Sequence, residues 1–131
     1  MEYSFIAFGH ENITGKHKRT LEFTKDIELG VEGDCILGVN SNFNIYDLKE
    51  IIKSSKKLKM IIKAGDILDE VVFEPNKEFN DERELVVRIG DFSSGRTFGI
   101  RADKACIHLK RGLIERLKNP NQKIDVLITN I

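Results

Sequence analysis

Apolar residues recur along this chain at two periods, and the switches between them outline the elements. Period two places successive side chains on opposite faces of a strand. It predicts strands over Tyr3–Phe8, Lys16–Thr24, Asp34–Val39, Leu58–Ala64, Ile67–Glu74, Glu84–Ile89, Thr97–Arg101 and Ile124–Ile128. In the second of these, Leu21 and Phe23 share a face with His17 and Arg19, while Lys18, Thr20, Glu22 and Thr24 share the other. Gly65-Asp66 suits a two-residue turn of type I′ or II′. The resulting hairpin opposes Ala64 with Ile67, Met60 with Val71, Leu58 with Phe73 and Lys57 with Glu74, a register that groups apolar residues and pairs unlike charges.

The helical period appears twice. Asn44 is placed as an N-cap with Asp47 in the first turn, and Ile45, Leu48, Ile51 and Ile52 form the buried stripe before an end near Ser54-Ser55. Asp103 is placed as the cap of a second helix to about Lys118, with Ala102, Cys106, Leu109, Leu113 and Leu117 as its stripe and Asn119-Pro120 as its stop. Many strands with so few helices exclude a doubly wound sheet. They predict a mostly β, α+β fold: an antiparallel β-sandwich, jelly-roll-like, of about eight strands with two helices packed on it. No repeat, low-complexity tract or linker divides the chain, so residues 1–131 read as a single domain.

Charge removes one class of function. The 131 residues carry 21 Lys and Arg against 21 Asp and Glu, a net charge of zero, whereas a protein that coats nucleic acid is basic. No apolar run approaches the ~18 residues that cross a membrane, and Met1–Phe5 lacks the basic and apolar regions of a signal peptide. Cys35 and Cys106 sit in apolar patterns rather than in CxxC pairs. The expectation is a cytoplasmic protein whose two thiols are reduced, buried and unreactive.

Two constellations carry candidate chemistry. Gly9-His10-Glu11-Asn12 is followed by His17, with Glu22 and Asp34 nearby. Two imidazoles at one hairpin end, beside carboxylates, suit a divalent metal or an acid–base pair near neutral pH, although the spacing matches no zinc signature. The structural alternative has His10 bonding its own turn and His17 ending an inward-facing row. Further on, Ser93-Ser94-Gly95-Arg96-Thr97 leads to Arg101, Asp103 and Lys104 at the predicted helix start. Backbone N–H groups, a helix N-terminus and arginine forks suit phosphate or carboxylate. Arg96 has the parity of Phe98 and Ile100, so it is expected to point inward or to sit on a cavity rim, and an inward arginine must be paired or bind something. The alternative is a salt bridge to Asp91 or Asp103.

Gly9-His10-Glu11-Asn12, the run His17–Asp26, Gly33-Asp34-Cys35-Ile36 and the run Arg96–Ala105 together resemble the archaeal domain-of-unknown-function family 371, in order and spacing, over essentially the whole chain. The resemblance implies an archaeal source and a β-sandwich of jelly-roll type, and it carries no activity with it. The family pattern often has threonine where this chain has Arg19, and alanine where it has Cys106.

The function expected from these readings is a small-molecule site for a phosphate or other anion, with hydrolase or transferase chemistry. His10 and His17 would supply acid–base or metal groups, and Arg96, Thr97, Arg101 and Lys104 would bind the anion. The alternative is a non-catalytic interaction module that binds RNA or a protein partner through the same polar face. A purely structural subunit is the third reading.

Overall fold

The elements with the strongest local signals form where the pattern puts them. A computed structural model describes residues 1–131 and contains eight strands and two α-helices. They are β1 (Glu2–Phe8), β2 (Thr20–Thr24), β3 (Ile36–Gly38), α1 (Ile45–Ile52), β4 (Leu58–Ala64), β5 (Ile67–Pro75), β6 (Glu84–Arg88), β7 (Thr97–Ile100), α2 (Arg111–Leu117) and β8 (Lys123–Asn130). The β4–β5 hairpin has the expected register, Leu58 opposite Phe73, Met60 opposite Val71 and Ala64 opposite Ile67. Gly65 takes φ +63° while Asp66 stays out of that region, the pattern of a type II′ turn. Asn44 caps α1, its Oδ1 accepting from the N–H groups of Tyr46 at 2.8 Å and Asp47 at 3.3 Å. Ile45, Leu48, Ile51 and Ile52 are the buried stripe.

The strands form one eight-stranded sheet in the order β1-β8-β4-β5-β7-β6-β2-β3. Five neighbouring pairs are antiparallel, but β6–β7 and β2–β3 are parallel. This corrects the expected antiparallel sandwich: the ladder is continuous and mixed. The parallel pairs arise because residues 25–35 and 89–96 return the chain to the end it came from, as a parallel connection must. The two edges of the sheet meet at a single bridge, Phe8 with Val39, with N···O distances of 2.9 and 2.8 Å. The sheet therefore curls round a shared core without closing into a barrel. Inside the curl Phe5 stacks edge-on against Phe23 and Phe43, and Phe98 against Phe79.

Two further expectations are corrected. β1 and β2 are not a hairpin: β1 pairs with β8, and β2 lies between β6 and β3. The chain leaves β1 at Gly9, where any Cβ would collide with the carbonyl oxygens of Leu117 and Asn119, so the backbone passes directly over the end of α2. The second helix is also shorter than its pattern. Asp103 caps no helix. Its N–H donates to Val72 O and its carboxylate accepts from Val72 N, so it lies alongside β5 and prolongs the pairing that β7 begins. A single 3-10 turn, Cys106–His108, intervenes, and extended backbone at Leu109 ends it before α2 begins at Arg111. All five residues of the expected stripe are nonetheless buried. No helix is long and apolar enough to cross a membrane.

Candidate functional site

Every residue of β2 is buried, which alternation alone does not require. Leu21 and Phe23 belong to the apolar core, and the other face carries Thr20, Glu22 and Thr24. Register sets Thr20 opposite Arg88, Glu22 opposite Val86 and Thr24 opposite Glu84, so these polar groups share one face. Over it lie Cys35, whose Sγ is 3.7 Å from Glu22 Oε1, and Arg96, whose Nη1 is 3.9 Å from Glu22 and 3.1 Å from Glu84. Glu22 is only 4% exposed.

Burial raises the Glu22 carboxyl from 4.5 to about 7, and Glu84 adds to the rise. Arg96, Cys35 and Arg88 offset only part of it. The thiols are held protonated. Burial, then the neighbouring Glu22 charge, pushes Cys35 up to about 11, and burial pushes Cys106 higher still. Both are free, as expected, and Cys106 donates to the carbonyl oxygen of Cys35 at 3.2 Å. Cys35, however, is only half-buried, because the Glu22 face on which it lies is a polar margin of the core.

At one end of this face is a cleft of about 110 Å³ lined by Arg19, Thr20, Arg88, Gly90 and Phe92. Arg88 Nε donates to Thr97 Oγ1 at 3.0 Å, and its guanidinium lies 5.0 Å over the Phe92 ring. The contrast with other arginines is electrostatic. Arg83, Arg96 and Arg101 are each raised chiefly by a hydrogen-bonded carboxylate: Asp26, Glu84 and Glu74 respectively. Arg88 is lowered, by burial and then by the charge of Arg96. It has no carboxylate hydrogen-bonded to it.

The residues singled out in the sequence separate as follows. Arg96 makes the internal ion pair that was the alternative reading, with Glu84 and Glu22 in place of Asp91 or Asp103. It lies ahead of β7, and the β6–β7 register shifts at Val86, so strand parity does not extend to it. Arg101, 57% exposed, pairs with Glu74 at 2.7 Å. Lys104 pairs with buried Asp69 at 2.8 Å, beneath β5 rather than beside Arg96. Thr97 joins the cleft indirectly, through Arg88. His17 joins it through Thr20: its Nδ1 accepts from the N–H groups of Arg19 and Thr20 and lies 2.9 Å from Thr20 Oγ1. His10 is apart, its Nδ1 accepting from Asn12 N and its own N–H bonded to Leu117 O. On this hydrogen-bond network each neutral ring carries its proton on Nε2, leaving no lone pair there for a metal. No three His, Cys, Asp or Glu side chains gather where they could hold one. Arg88 and Thr20, absent from the sequence-based site, and Glu22, named there only as a carboxylate near the histidines, are thus the centre of the candidate site. Their signal in the sequence is Thr20-x-Glu22-x-Thr24, a polar row of hydroxyls around one carboxylate.

Comparison with known proteins gives the chain its relatives. The chain is 31% identical, over 134 aligned positions covering 98% of it and 99% of the relative, to a protein of Methanocaldococcus jannaschii named "Uncharacterized protein MJ0206". Residues 5–131 match the family described as "Domain of unknown function (DUF371)". The chain belongs to that family.

Proposed function

We propose that the cleft beside Arg88 binds a small anion, a phosphate or carboxylate group carried by a small molecule. The observation that carries this reading is the state of Arg88. It is half-buried, fixed at Nε by Thr97 and flattened over Phe92, and no carboxylate is hydrogen-bonded to it, Glu22 acting on it only at longer range. An arginine held in place and partly withdrawn from water, with its guanidinium face not taken up by a bound carboxylate, is a pre-oriented receptor for a bidentate anion. The Thr20 hydroxyl lies in the same cleft, and Arg19 stands at its rim. A space of about 110 Å³ is smaller than the ~300 Å³ of a full ligand pocket, so it suits the anionic end of a ligand whose remainder lies outside. Hydrolysis or transfer of that group would draw on Glu22, the carboxyl on the same face that titrates near neutrality.

The alternative, a non-catalytic module for RNA or a protein partner, draws on a different surface. The largest cleft, about 430 Å³, is lined by Lys49, Lys53 and Lys77 beside α1. Lys49 and Lys77 there already donate to Asn80 Oδ1 and Ile52 O.

Thermal unfolding in phosphate against chloride at matched ionic strength tests the proposal. A ligand at a hundred times its Kd adds about 2.7 kcal/mol, several degrees at this chain length. The native chain is expected to gain this and Arg88→Gln to lose it. The variant controls for the general stabilisation that excluded anions give any fold. Equal gains in both chains would refute an anion site at Arg88.

A further inference from the structure

The anion cleft and the buried carboxyl lie on one sheet face with nothing between them but the strand. Thr20, in the cleft, and Glu22 are alternate residues of β2, about 7 Å apart at ~3.3 Å per residue. Glu22 has no N–H or lysine of its own to neutralise it. Its nearest cation, Arg96, stands 3.9 Å off and is bound more closely by Glu84 at 3.1 Å. A dianion seated on Arg88 would add negative charge beside a carboxylate already poorly compensated, whose own burial limits how far water screens it.

We infer that the ligand enters this site together with a proton, which Glu22 carries. This rests on the anion reading above and adds to it: the site would favour anions below neutrality and release them as Glu22 ionises. The groups facing Glu22 are Cys35 ahead of β3, Glu84 and Arg88 on β6, and Arg96 ahead of β7. Cys35 stays a thiol throughout the neutral range, and the arginines stay charged, so the carboxyls are the groups free to change. Glu22 is the more buried of the two carboxyls, and its titration near 7 agrees with this role. His17, bonded to Thr20, is the other titratable group on the cleft, and a Glu22 variant separates the two.

Sulfate is the probe, because its charge is constant between pH 6 and 8. Its Kd for the native chain is expected to rise about tenfold over that range, a typical size for coupling between neighbouring sites. Calorimetry at pH 7 in buffers of different ionisation enthalpy should show net proton uptake on binding. Glu22→Gln should bind sulfate with the same Kd at both pH values and take up no proton. A carboxyl-carbon NMR titration of Glu22 in the native chain should move to higher pH when sulfate is added, a readout independent of the variant. If sulfate binds but pH dependence and proton uptake persist in Glu22→Gln, the coupling belongs elsewhere and this inference falls while the Arg88 site stands. If sulfate does not bind at pH 6, both fall.

Discussion

Two buried carboxylates, one in each half of the sheet, are treated in opposite ways. Asp69, on β5 in the antiparallel half, is 6% exposed and fully answered. One oxygen accepts from Lys104 Nζ and Glu70 N at 2.8 Å, and the other accepts from Lys110 N at 2.9 Å. Burial pushes its pKa up, but Lys104 and the two N–H groups outweigh it and hold the carboxyl below its usual value. Glu22, on β2 in the mixed half, has a distant, shared arginine and a thiol, and burial wins. Similarly low exposure thus gives a staple in one place and a strained acid in the other. The number and directness of the donors at Asp69 and the heavier desolvation at Glu22 together decide, and perturbed groups of the second kind concentrate where proteins bind or react.

The comparison breaks most readily at Asp69. Asp69→Ala strands Lys104 and two N–H groups and should cost about 3 kcal/mol by denaturant titration at pH 7, in the range for a broken buried pair. Since its folded pKa is depressed, the native contribution is present above about 3.8 and fades as pH falls below that value. A loss under 1 kcal/mol would mean the staple is worth no more than a surface pair.

Glu22→Gln should do the reverse. The folded chain keeps the Glu22 proton up to about pH 7 while the unfolded chain loses it near 4.5, so native stability declines as pH climbs through that window. The variant should lack this decline and exceed the native chain by about 2 kcal/mol at pH 8. If it is less stable at pH 8, the Glu22–Arg96 attraction outweighs burial, and the contrast with Asp69 disappears. The smallest effect belongs to the exposed pair Arg116–Asp66 at 2.6 Å, where Arg116→Ala should change stability by under about 1 kcal/mol.

The same two regions differ in how far the sequence reveals them. The β4–β5 hairpin and α1 follow from local chemistry: a glycine turn between matched runs, and an asparagine cap ahead of an apolar stripe. The second helix was misplaced because Asp103 has two local options, and β5, far away in sequence, supplies the partner that selects extended pairing. The burial of Thr20, Glu22 and Thr24 is not legible in the polar face they share, because what covers it comes from elsewhere: Cys35 from the loop ahead of β3 and Arg96 from the loop ahead of β7, two strands across the sheet. His17 and Thr97, expected from the sequence to belong to the site, reach the cleft only through Thr20 and Arg88. Arg101 and Lys104 drew attention for their charge, and tertiary carboxylates absorb it.

The central claim concerns where an anion sits, and a backbone-amide NMR titration with sulfate at pH 6 tests it most directly. The account predicts saturable shifts concentrated at Thr20, Gly90 and Phe92, around Arg88, with the amides of Lys49, Lys53 and Lys77 unmoved and the response lost in Arg88→Gln. Saturation at the lysine cleft instead, or shifts that survive Arg88→Gln, would contradict it.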